Sequence, residues 1–76
     1  MTRTMRDGIM IIYRKLWEKM KETGITQYRL QKEGFSNSTI TRLKRDQTVS
    51  TETIDRLCRL LQCDVGDIME YREEQA

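Results

Sequence analysis

Seventy-six residues with a formal net charge of +2 leave room for one small domain and no second core. Charged residues make up 34% of the chain, proline is absent, and no apolar run approaches the roughly 20 residues of a membrane helix, so the composition argues against a membrane span and for short helices joined by turns. There is no histidine, and the two cysteines, Cys58 and Cys63, do not have the C-x-x-C spacing of zinc or redox sites, which removes the usual metal ligands and the usual acid–base residue.

The modest net charge hides an asymmetry. Residues 1–48 carry eleven Lys/Arg against five Asp/Glu, whereas residues 49–76 carry three against seven. The first part suits a polyanion and the last part would repel one. A core this small is also marginal alone, which favours a second subunit on energetic grounds.

Residues 1–8, with Thr2, Arg3, Thr4 and Arg6, show no apolar period and read as a flexible N-terminal arm. The apolar run 9–12 is too short for the h-region of a secretory signal, so a soluble, cytoplasmic protein is expected. Residues 9–13 are apolar and β-branched enough for a short strand. From about Arg14 the period turns helical, with Leu16, Trp17 and Met20 on one face and Gly24 as the stop.

Thr26 is a good N-cap for a second helix over residues 27–33, with Leu30 inward and Gly34 ending it. Ser36 caps a third over residues 37–45, where Ile40 and Leu43 lie on the core side and Asn37, Ser38, Thr41, Arg42 and Arg45 on the other. Ser50 or Thr51 caps a fourth, in which Ile54, Leu57, Cys58 and Leu61 recur at i, i+3, i+4, i+7. Asp64 caps a short fifth over residues 65–69, whose Val65, Ile68 and Met69 would close the core. Residues 69–71 could extend and pair with residues 9–13, and residues 72–76 form a charged tail. The expected fold is all-α: five helices over residues 9–71, with a short two-stranded pairing of the ends left open.

The second and third helices, separated by Gly34 and Phe35, carry the functional signal. A glycine turn lets two helices meet steeply and project the second away from the core, as a helix-turn-helix places its recognition helix in the major groove of DNA. Asn37 donates and accepts as adenine requires, Arg42 matches guanine O6 and N7, and the hydroxyls of Ser38 and Thr41 suit several bases. Gln27 at the start of the second helix, with Thr39, Lys44 and Arg45, would contact phosphates.

The runs TQYRLQKEGFSNSTITRLKRD and VSTETIDRLCRLLQCDVGDIMEY, with YRKLW before them, resemble the Xre family of Cro/repressor-type helix-turn-helix regulators over residues 11–71. The segments STITRLKR, STETIDRLC and GDIMEY are the most distinctive. The resemblance implies a five-helix repressor-like domain that binds a double-stranded DNA operator, commonly as a homodimer, and represses or otherwise regulates nearby transcription. It also implies that Gln27 is the family's phosphate-contacting glutamine and that Asn37, Ser38 and Arg42 hold base-reading positions. Two features depart from the better-known phage repressors: residues 30–34 are one residue shorter, and Gln31 stands where alanine is usual.

The reading that follows is a DNA-binding regulator, not an enzyme, with no cofactor, metal or small-molecule substrate. Two alternatives keep the fold and change the partner: a protein-interaction module, and a DNA-binding antitoxin that combines both activities.

Overall fold

A computed structural model describes residues 11–72. The proposed arm (1–8), the start of the candidate first strand (9 and 10) and most of the charged tail (73–76) lie outside the described residues. Four α-helices follow in order: α1 (Arg14–Thr23), α2 (Gln27–Lys32), α3 (Asn37–Lys44) and α4 (Thr51–Leu61). They are bracketed by strands β1 (Ile11–Ile12) and β2 (Glu70–Tyr71), which pair antiparallel with Ile11 opposite Tyr71 and Ile12 opposite Glu70. The expected pairing of the ends is present, and no helix among the described residues is long and apolar enough to cross a membrane.

The helix starts follow from side-chain caps. Thr26 Oγ1 accepts the Arg29 N–H at 3.2 Å, and Ser36 Oγ accepts the Thr39 N–H at 3.1 Å. At α4 the cap is Ser50, whose Oγ accepts the Thr53 N–H at 3.1 Å. Each bond satisfies one of the amides that a helix start leaves without an internal partner. Helix α1 differs, because its N-cap position, Tyr13, makes no side-chain cap bond. Instead the Tyr13 N–H donates to Asp46 Oδ1 at 2.9 Å and the phenol donates to the Gln47 carbonyl at 2.9 Å, tying the start of α1 to the loop after α3.

All four helix ends use the left-handed region, at Gly24, Gly34, Asp46 and Gln62. Gly24 closes α1 at φ 77°, a conformation that costs glycine little. At the end of α4 the same turn falls on Gln62, with φ 54°. There the Gln62 N–H reaches the Arg59 carbonyl (3.3 Å) and the Cys63 N–H reaches the Cys58 carbonyl (3.0 Å), the paired bonds of a Schellman ending.

The fifth helix contracts to a single 3-10 turn, Val65–Asp67. Asp64 caps it as expected, but the bonds are tight and local: Asp64 Oδ1 accepts the Val65 N–H at 2.9 Å, and Asp67 Oδ2 reaches back to the Asp64 N–H at 3.0 Å. The contraction sorts the three apolar residues differently from expectation. Ile68 is fully buried and Met69 packs against the core, while Val65 is 46% exposed.

The core takes one fully buried aliphatic side chain from each helix and one from the closing turn: Leu16, Leu30, Leu43, Leu57 and Ile68. Met20, Ile40, Ile54 and Leu61 join them, as do Tyr13 and Phe35, two aromatics that the helical period does not single out. Trp17, expected inside, is half-buried at the margin of this cluster. No polar or charged side chain is buried among the described residues. Cys58 and Cys63 are free thiols, both half-buried, and burial pushes each up from the usual thiol range.

Burial first, and the Asp46 carboxylate second, also raise the Tyr13 phenol above its ordinary value. A folded-state pKa above the unfolded one means that stability is intact below the unfolded value and declines as pH rises through the folded one. The Tyr13→Phe variant should therefore lose about 1 kcal/mol at neutral pH with the phenol's hydrogen bond, and should show a shallower stability loss above about pH 10. Denaturant melts across pH read both effects. Leu57→Ala should cost about 2–5 kcal/mol through the cavity it opens, and a thermal melt should fall by roughly 8 °C or more.

Candidate nucleic-acid interface

Helices α2 and α3 form one unit. Between them the chain passes through Glu33, Gly34 at φ 99°, and Phe35, which turns inward and is buried. From α4, Arg56 closes over this turn: its Nη2 donates to the Glu33 carbonyl at 2.7 Å, and its guanidinium lies 4.4 Å from the centre of the Phe35 ring. A side-chain carbon added at Gly34 would sit 3.0 Å from that Nη2, which a small shift of the arginine end relieves, so it is the positive φ that calls for glycine.

With the turn held this way, α3 buries Ile40 and Leu43 and presents the rest of its circumference. Asn37, Thr41 and Lys44 succeed one another at i, i+4, i+7, and Ser38, Arg42 and Arg45 run beside them at the same spacing; all six are exposed. Helix α3 has no acidic residue. The nearest carboxylate along the chain, Asp46, is occupied by the Tyr13 amide. Among the described residues the side chains of Arg42, Lys44 and Arg45 make no ion pair.

The four base-reading candidates, Asn37, Ser38, Thr41 and Arg42, thus share one open cationic face. The phosphate candidates are more scattered. Gln27 is exposed at the first position of α2, while Lys44 and Arg45 lie at the far end of α3. Thr39 is half-buried, and its hydroxyl and amide are both engaged by Ser36 Oγ at 3.0 and 3.1 Å, which makes it part of the cap before it is part of a surface.

On α2 the cations are already occupied. Arg29 pairs with Glu33 at 2.8 Å, and Lys32 lies 5.6 Å from the centre of the Tyr28 ring. Tyr28 itself is 67% exposed at the second position of α2, a large aromatic that the apolar pattern passes over. Gln31, which the sequence marks only as a departure from alanine, reaches across the turn so that its Nε2 donates to Asn37 Oδ1 at 2.9 Å. A polar residue six positions ahead of the first residue of α3 is the one signal that precedes this contact. The Arg56 clamp is tertiary and has no signal of its own along the chain.

The comparisons with known proteins agree with this geometry. One solved structure, the transcriptional regulator VanUg (form II crystal), superposes with a TM-score of 0.81 at 29% sequence identity, covering 97% of this chain and 100% of that one. The search of curated proteins gives no significant match. The family model for the Cro/C1-type helix-turn-helix DNA-binding domain matches residues 15–74, which take in α1 from its second residue, the other three helices, the closing turn and β2. This chain, with its glycine-turned helix pair and exposed cationic third helix, belongs to the Cro/C1-type helix-turn-helix DNA-binding domain family.

Proposed function

We propose that the protein is a transcriptional repressor that acts by occupying a double-stranded DNA operator as a homodimer. The observation that supports this most directly is the division of α3: Ile40 and Leu43 anchor it in the core, and Asn37, Ser38, Thr41 and Arg42 stand clear on the other side. The major groove admits one helix, and amide, hydroxyl and guanidinium groups are the chemistries that read base edges there.

The mechanism is positioning and occupancy, without covalent chemistry. Lys44, Arg45 and Gln27 would hold the backbone, releasing counterions as they meet phosphates, and the face from Asn37 to Arg42 would set sequence preference. A helix of eight residues spans only a few base pairs. Two copies on half-sites about one helical turn apart would supply the length that a specific operator needs.

Selection of bound sequences from random duplexes, with light scattering to measure the assembly, tests the proposal. A pseudo-palindromic consensus bound by a dimer is the expected result. No duplex binding at low salt, or salt-insensitive binding to a protein alone, overturns it. Arg42→Ala should relax preference at one base pair per half-site by about 1–3 kcal/mol. Lys44→Ala should weaken every sequence alike and lower the slope of log affinity against log salt by about one unit.

A further inference from the structure

We infer that Gln31 is a specificity-positioning residue, holding the Asn37 carboxamide oxygen toward α2 before DNA is met. The inference deepens the operator-binding reading and rests on it. The observation is the single hydrogen bond across the turn, Gln31 Nε2–H to Asn37 Oδ1 at 2.9 Å, between two exposed side chains on different helices.

The two ends of an asparagine carboxamide have nearly the same shape and opposite chemistry, so a half-turn about its last torsion exchanges acceptor and donor. An Asn37 alone on the surface would present either order to a base pair. Gln31 restricts that freedom, since the two amides can now turn over only together, and the arrangement seen sets its donor on the Asn37 oxygen. Its N–H holds the Asn37 oxygen toward α2, which turns Nδ2 the other way, and an amide oxygen has a second acceptor site left for a base.

Adenine requires acceptor and donor in a set order along the groove, to match its N6–H and N7. In this arrangement the carboxamide reads one base at one register and disfavours the flipped pair, where its oxygen would face thymine O4 and its NH2 the thymine methyl. Alanine at position 31 could not do this, having no polar atom. The geometry of the turn also matters, since Gly34 and the Arg56 clamp bring the end of α2 within reach of the first residue of α3.

The test compares the wild-type protein, Gln31→Met, Gln31→Glu, Asn37→Ala and the Gln31→Met/Asn37→Ala double variant in one selection from random duplexes, with binding curves on the resulting consensus. Circular dichroism melts accompany each, and the exposure of residue 31 predicts unchanged folding. Gln31→Met should flatten preference at a single base pair by about tenfold, leaving the other positions and non-specific affinity as they are. Gln31→Glu, which only accepts, should draw the Asn37 NH2 toward α2 and shift the preferred base at that same position. The double variant should match Asn37→Ala.

Preference unchanged in both Gln31 variants, a uniform loss at all positions, or additive losses in the double variant overturn the role of Gln31 while leaving operator binding in place. A wild-type protein that binds no duplex overturns the operator-binding reading, and this role with it.

Discussion

The structure depends on the turn between α2 and α3. Everything that lets a six-residue helix and an eight-residue helix act as one device is concentrated between Glu33 and Ser36. Gly34 takes a backbone conformation closed to most residues, Phe35 drives inward as the anchor, and Ser36 starts the next helix. Arg56 then locks the corner from outside, bonding the Glu33 carbonyl just past α2 while its guanidinium stacks on the anchor. Helices this short are not stable by themselves in water. Their conformation comes from caps at the start, a clamp at the corner and the three buried aliphatics Leu30, Ile40 and Leu43.

That corner has a counterpart at the other end of α3. Asp46, itself at φ 56°, accepts the Tyr13 amide, and the Tyr13 phenol bonds to Gln47. The helix with the exposed polar face is therefore gripped at both ends by residues distant in sequence, Arg56 at its entry and Tyr13 at its exit. Such an arrangement suits a rigid reader of a rigid surface, since contacts to base edges reward a helix that arrives already oriented. The surface ion pairs contribute less to this. Arg14 and Lys15 reach a half-buried Glu70 from exposed positions, and Arg59 with Asp55 lies in solvent where such pairs are screened.

Much of this architecture is legible in the order of the residues, for identifiable reasons. Thr26, Ser36 and Ser50 announce helix starts because a short side chain with an oxygen acceptor is what an unpaired amide requires. Leu16, Leu30, Leu43, Leu57 and Leu61 announce the core through their period. Where the reading strayed, the cause is tertiary or very local. The region after Asp64 has helical spacing but an Asp64–Asp67 box that closes in one turn, so a helix of five residues became a 3-10 turn of three and Val65 was left outside. Tyr13 and Phe35 sit at element boundaries, where period carries no information, and both proved to be core. The exposed face of α3 was visible as a pattern of residue types. The bond that joins Gln31 to Asn37 was not, because it depends on the angle between helices that only the folded corner defines.

The pairing of β1 with β2 has a kinetic consequence. It joins the two ends of the described chain, so it closes the largest loop available to the molecule, whereas the helices form from neighbours and the Arg56 clamp on the α2–α3 corner closes a much shorter loop. Closure of a loop is entropically dearer the longer it is, and contacts of wide sequence separation form late. This two-residue ladder should thus be the last piece to assemble and the first to open. Hydrogen exchange at Ile11, Ile12, Glu70 and Tyr71 would proceed through local fraying, while the amides around Leu43 and Leu57 would exchange only when the whole domain unfolds.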